Sequence, residues 1–551
     1  MPEPSEAQRT NPRDKQMTHG MIVAPQPEAV EAGALALKRG GNAVDAAITC
    51  ALVQGVVDPC MAGIAGFGTM HLFLPGEGVH GCIDFHTKAP GAAREDMWAD
   101  RIEGEARDGF GFFLTGRVNE VGYQSIMVPG SLKGYYEAID AHGTMGWEDV
   151  IRPAVEQAEA GFIVRPHVYD FWTKSQDLGR VTTREKLAST PAGRRIYFCN
   201  DGELPRPGER LRNPEMAESL KRIAKGGADV FYSGDMAEQM VADIQANGGL
   251  LSLEDLAAYR TRRIDPIWTD YRGYRVASNQ PPGGGVMVLE MLNILENFDL
   301  HEMGHNTPEY IRVVSEAMKF ATIDKDTRVG DPDFSDVPTD VLIDKDYAAE
   351  LSEIIARGEQ AHVERLASVE ESRDTTHICA IDEHGNAVSL THSLGMPSGV
   401  VSEGLGFMYN GCMSVFDPRP GHAGSIAPGK SRFTAMAPTM VFDDNDLRIV
   451  IGAPGGTWIT MGVLQGILNA LDFDMSILEA VAAPRFTANS DIIDVCNRIP
   501  HFVSDELEHM GYPTARSYLS YTFAGVHAIK IDGAHWSGAA DPGRDGMPLE
   551  V

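Results

Sequence analysis

The sequence predicts a mixed α/β protein with one dominant β-hairpin at its chemical centre. Three observations carry that prediction. The runs over 375–381 and 387–393 alternate side chains with the period of a strand, and turn residues join them. A glycine-rich turn over 452–456 passes from an apolar strand into an amphipathic helix over 457–471. Between 129 and 262 the pattern is helical in successive runs. At 551 residues the chain exceeds one ordinary domain, so one large enzyme fold and two domains are both open.

In chain order, residues 1–19 read as a disordered leader and 21–24 as a short apolar strand. An Ala-rich helix starts at Pro27 and stops at Gly40-Gly41, and Asn42 caps a second helix to about Val57. Strands over 69–74 and 83–85 follow. The intervening glycines over 63–68 have the wrong spacing for a dinucleotide loop and open onto a strand, so they read as Gly-rich backbone near a site or as close helix–strand packing. Helices over 130–142, 147–160, 216–224, 236–246 and 253–259 lead to a strand over 271–278. Pro281 to Gly285 lacks the Lys-Ser/Thr of a phosphate loop and reads as a turn into a helix over 286–298. The stretch 322–372 is charged and helical, ending in the polar, exposed Glu371-Ser372-Arg373-Asp374.

Composition narrows the classes. Hydrophobic residues at 43% and charged ones at 23% describe an ordinary globular core. A net charge of −31 argues against nucleic acid or an anionic membrane as partner. The seven cysteines are scattered with no C-x-x-C pair, and they read as core residues of a reducing compartment. The polar N-terminus has no apolar signal region and no apolar run reaches membrane-spanning length, so a cytoplasmic protein is expected.

His301-Glu302-Met303-Gly304-His305 matches H-E-x-x-H, the zinc-protease motif. That motif needs one continuous helix, whereas here the preceding helix ends near Asp299 and Gly304 interrupts the match. It reads as a loop, and neither metal nor cofactor is expected.

The hairpin carries the chemistry. Antiparallel partners keep a constant index sum, so pairing Ile381 with Ala387 puts Thr375 opposite Ser393. Thr375 then shares a face with Ser389, Thr391 and Ser393, while Thr376, Ile378, Ala380, Val388 and Leu390 form an apolar face. A Thr heading a strand behind Asp374 is a candidate masked nucleophile. Its hydroxyl attacks the Asp374 carbonyl, and water cleaves the resulting ester. The freed α-amino group, with an ordinary pKa of about 7.7 to 8, then serves as base for the same residue's hydroxyl. Taken alone, the stretch reads first as a turn-to-strand junction with Thr chosen for β-propensity, and features elsewhere in the chain must overturn that. Gly455-Gly456, at the start of the 457–471 helix, presents backbone N–H groups to an anion, a candidate oxyanion hole. Arg94 could pair bidentately with a substrate carboxylate.

From about residue 20 to 545 the chain resembles the γ-glutamyltranspeptidase family of N-terminal nucleophile hydrolases. The resemblance rests on Ala24-Pro25-Gln26-Pro27 with Gly40 to Ala47, Tyr271-Arg272-Gly273-Tyr274 and Asn293 to Phe298. It continues in Thr375-Thr376-His377, Pro454-Gly455-Gly456 and Ala540-Asp541-Pro542. It implies a four-layer αββα sandwich, self-cleavage between Asp374 and Thr375 and two associated subunits, 1–374 and 375–551. It further implies Thr375 as nucleophile, Ser393 in support, Gly455 and Gly456 as the oxyanion hole, and Arg94 near the carboxylate-binding Arg after a one-residue shift.

Four departures bear on the substrate. The family's Ser-Ser pair is Thr434-Ala435, and no carboxylate remains in 412–416, where the acidic anchor for the glutamyl ammonium belongs. The Asn two positions after the supporting hydroxyl is Gly395, and the lid over 417–430 is short. The expected activity is therefore a threonine amidohydrolase or acyltransferase for a small amide. Its acyl group carries a carboxylate but no α-ammonium, as in oxamate-like or glutaryl-like amides, bound through Arg94 and Thr434. The alternatives are a conventional γ-glutamyltransferase or glutathione hydrolase, a zinc protease using His301, Glu302 and His305, and a non-catalytic binding protein.

Overall fold

The strands at the centre of the chain alternate side chains that are buried on both faces, which requires a layer on each side. A computed structural model describes residues 20–106, 111–174, 179–199, 201–363, 375–533 and 535–551. The expected leader over 1–19, and Asp374 with the rest of 364–374, lie outside the described residues.

Two sheets stack face to face. The first has seven strands in the order Met547–Glu550, Gly20–Ala24, Thr375–Asp382, Ala387–Ser393, Phe67–Leu74, Val79–Phe85 and Arg262–Ile264. The second has six, His535–Ala540, His527–Asp532, Asp446–Gly452, Thr439–Asp443, Tyr274–Ser278 and Ile267–Tyr271. Met21, Val23, Cys379 and Ile381 of one sheet pack against Met440, Phe442, Val450 and Ile529 of the other. Helices cover both outer faces. Pro27–Lys38 and Ala43–Val57 pack on the first sheet, the latter buried along its whole length and capped reciprocally by Asn42 and Asp45. Gly285–Leu295, Pro308–Arg328 and Ile459–Leu471 form the apolar layer on the second. The architecture is the αββα sandwich.

Three local expectations change. The run over 271–278 is a hairpin, Ile267–Tyr271 paired with Tyr274–Ser278, because Arg272 and Gly273 take φ of 52° and 84° in a two-residue turn. The helix expected over 286–298 is Gly285–Leu295. His301 and Glu302 sit in a single helical turn, Leu300–Met303, capped by Asp299. Gly304, at φ 82°, ends that turn before His305. The two imidazoles therefore do not share a helix face. His301 Nδ1 meets the Asp472 carbonyl at 3.0 Å, and the His305 ring packs against Phe473.

The glycines over 63–68 mark a close approach of backbones. A Cβ on Gly66 would lie 2.2 Å from the Ser393 carbonyl oxygen, and one on Gly68 would lie 2.4 Å from that of Thr391.

Candidate active site

Thr375 opens a strand whose partners fix it from both sides. Gly20–Ala24 pairs with its distal half, and Ala387–Ser393 pairs along its whole length, with Thr375 opposite Ser393. The Thr375 hydroxyl donates to Ser393 Oγ at 3.3 Å, and Ser393 Oγ also accepts from the Gly395 N–H at 2.8 Å. Ser393 is thus held by backbone while it faces the threonine.

The expected row of hydroxyls shares the Thr375 face, and its members are engaged differently. Thr391 Oγ1 is engaged by His377 Nδ1 at 2.8 Å, and Ser389 donates to the Ile451 carbonyl of the facing sheet at 3.0 Å. Both therefore tie the hairpin to its surroundings, and Ser393 alone of the three attends Thr375. Burial, reinforced by His527 and His392 nearby, holds the His377 imidazole neutral, well below the usual histidine pKa.

The opposite face does correct an expectation, because it is apolar only in part. Thr376 and His392 point there and join a buried chain of hydrogen bonds. Gln54 Nε2 donates to Thr376 Oγ1 and to Gln26 Oε1, both at 3.0 Å. His392 Nε2 meets Gln54 Oε1 at 2.7 Å and its Nδ1 meets the Tyr135 hydroxyl at 2.6 Å. Since the Gln54 amide nitrogen is spent as a donor, its oxygen accepts from His392 Nε2–H, and Nδ1 accepts from Tyr135. Burial pushes the His392 pKa down to about 3, so this imidazole is neutral.

A pocket opens over Thr375. It encloses about 370 Å³ of empty space counting its mouth. Thr375, Thr434, Gly456 and Arg432 line it, together with Phe67, Met396 and other apolar or glycine positions. Among the described residues, no carboxylate lines this pocket. Gly455 and Gly456, at φ 145° and 60°, precede the Ile459–Leu471 helix, whose first N–H groups have no partner within the helix. Thr434 is buried, its N–H donating to the Pro282 carbonyl at 2.9 Å. The structure thus brings together Thr375, Ser393, Gly456 and Thr434, with Gly455 adjoining.

Arg94 does not join them. Its side chain is 73% exposed, with Asp96 at 3.5 Å in the same turn. The cation in the pocket is Arg432, which the sequence reading missed. Its neighbour Asp331 is already engaged, accepting from the Ser431 N–H at 2.7 Å and from Lys88 Nζ at 3.3 Å. Among the described residues, no group of three or more His, Cys, Asp or Glu side chains is arranged to hold a metal ion, and no helix is long and apolar enough to cross a membrane.

A four-layer αββα sandwich with a hydroxyl residue heading a central strand is the architecture of N-terminal nucleophile hydrolases. Comparison with known proteins agrees. The γ-glutamyltranspeptidase family profile matches residues 29–551, and the chain belongs to that family. It is 37% identical over 542 residues to the acylase ACY 1 proenzyme of Pseudomonas sp. (strain V22), covering 97% of this chain and 94% of that one. It is 35% identical over 485 residues to the glutathione hydrolase proenzyme of Pseudomonas sp. (strain A14), covering 85% and 81%. The crystal structure of cephalosporin acylase from Bacillus halodurans superposes with a TM-score of 0.84 at 26% identity, covering 99% of both chains. The protein is an enzyme of the γ-glutamyltranspeptidase family, within its amidohydrolase and acylase range.

Proposed function

We propose that the chain cuts itself between Asp374 and Thr375 and then hydrolyses or transfers a small carboxylate-bearing acyl group through an ester on Thr375. The α-amino group released by the cut takes the hydroxyl proton as Oγ1 attacks the amide carbonyl. The Gly455 and Gly456 N–H groups stabilise the oxyanion, and the leaving amine departs with the proton. Ser393 orients the hydroxyl, and water or an amine then cleaves the ester. Related proenzymes of the acylase and glutathione hydrolase kinds support the self-cleavage and the amide chemistry.

One observation carries the substrate class: among the described residues, the pocket beside Thr375 is lined by a positive charge and no negative one. A γ-glutamyl group would bring its ammonium into that pocket unpaired, and desolvating such a charge costs several kcal/mol. An acyl group ending in a carboxylate without the ammonium escapes that cost. Glutaryl-like and oxamate-like amides have this form, and the similarity to acylases, one of them a cephalosporin acylase, points the same way. The test is kcat/KM for γ-glutamyl-p-nitroanilide against glutaryl-p-nitroanilide and oxamate. The glutaryl or oxamate compound is expected to lead; a clear preference for the γ-glutamyl compound would make this a conventional glutathione hydrolase.

A further inference from the structure

We infer that Arg432 is the receptor for the acyl carboxylate, and that Gly395 is the position that makes room for it. The inference rests on the amidohydrolase reading above and adds the specificity-determining residue to it.

Arg432 is 6% exposed, yet among the described residues no carboxylate lies within ion-pair distance of it. Its Nη1 donates to the Phe433 carbonyl at 2.9 Å, while its buried Nε has no hydrogen-bond partner. Buried guanidinium groups are ordinarily paired, because removing the charge from water is costly. This one is held ready for an anion. The Phe67 ring stacks 4.6 Å from its Cζ, which fixes the plane of the fork without consuming its donors. Both residues line the pocket that Thr375 lines. A carboxylate at one end of a short acyl chain can therefore meet the guanidinium while the amide carbonyl at the other end meets Thr375.

Gly395 completes the arrangement. It takes φ 75°, and a Cβ there would stand 3.0 Å from Arg432 Nη2 and 2.7 Å from Cys412 Sγ. A side chain at 395 would displace the guanidinium from this position. Arg94, the sequence-level candidate for the same task, sits in an exposed turn already paired with Asp96.

The experiment compares kcat/KM for glutaryl-p-nitroanilide with that for its methyl ester, which has the same length and no charge. The wild-type enzyme is expected to favour the acid. Arg432→Gln should lower the acid-to-ester ratio at least ~30-fold, the lower end of what truncating one partner of a buried charge pair costs. Arg432→Lys should give an intermediate ratio, since the charge remains and the fork is lost. Gly395→Asn should also lower the ratio, Asn being a residue that tolerates positive φ. Arg94→Gln should leave it unchanged. An unaltered ratio in Arg432→Gln, or a collapse in Arg94→Gln, would overturn the inference. A second measurement separates it from the amidohydrolase reading: free glutarate should raise the melting temperature of Thr375→Ala protein and fail to do so after Arg432→Gln is added. Wild-type enzyme that turns over neither donor, with that glutarate shift intact, would sink the proposed reaction and leave the receptor standing. Absence of the shift in both proteins counts against Arg432.

Discussion

The rear face of the Thr375 hairpin and its pocket end treat hydrogen bonds in opposite ways. Behind it, Thr376, Gln54, His392 and Tyr135 form a chain in which each named group meets a partner at 3.0 Å or less. At the pocket end, the Thr375–Ser393 contact is longer, at 3.3 Å, and the Arg432 Nε is left open. A satisfied buried network rigidifies, whereas open donors and acceptors are capacity reserved for a substrate. The rear face therefore holds the strand, as Thr391 and Ser389 do further along the front face, and only the pocket end is left open.

Substitutions should separate these roles. The largest effect is expected from Thr375→Ala, which should stay a single chain and lose several orders of magnitude in turnover. Gel analysis and N-terminal sequencing check this, and a small piece beginning anywhere but Thr375 would break the assignment. Ser393→Ala should cost roughly 10²-fold in kcat, within the usual range for a group assisting proton transfer, with little loss of stability. Gln54→Ala should do the reverse. It strands His392, Thr376 and Gln26, at about 1 to 3 kcal/mol for each unsatisfied group, and should lower the denaturation midpoint far more than it lowers kcat. If both variants lose the same quantity in the same proportion, the contrast between the faces fails.

The rear face also has a pH signature. The His392 pKa is about 3 when folded, and an unfolded histidine titrates near 6.5. The unfolded chain therefore binds more protons in that window. The stability from burying this neutral imidazole is fully present above about pH 6.5 and is lost as pH falls towards 3, at about 1.4 kcal/mol per unit. Denaturant titrations of His392→Gln should show a shallower decline below pH 6.5 than the wild type. The smallest expected effect is none: exhaustive chelation should leave turnover unchanged. Loss with EDTA and recovery with zinc would return His301, Glu302 and His305 to consideration.

The pairing of Thr375 with Ser393 is legible in the sequence because a short turn sets the register of two strands buried on both faces, where a one-residue slip would invert every side chain. Gly455-Gly456 is legible because helix starts leave N–H groups free wherever they occur. Arg432 is not legible. It lies in a stretch without regular structure, and its meaning depends on Phe67 and Gly395, brought to it by separate parts of the chain. Arg94 errs in the opposite direction, since order along the chain does not fix which way a turn faces. The hairpin over 267–278 is hidden because its turn places an arginine at positive φ, a position where glycine, asparagine or aspartate is the usual signal. Thr376 and His392 show that alternation assigns a face and leaves open whether polar side chains there find partners.

The seven-stranded sheet has one more consequence. Its order interleaves segments from either side of residue 375: the last strand of the chain, then the first, then the two of the hairpin, then three from the front half. A cut before Thr375 would turn a fold made by one molecule into a weave of two threads, each crossing the other inside a common fabric. Neither thread could be drawn out without unravelling the hydrogen-bonded rows of its neighbour. Dilution, which separates partners that merely touch, should leave these together, so that dissociation and unfolding become one event with one temperature.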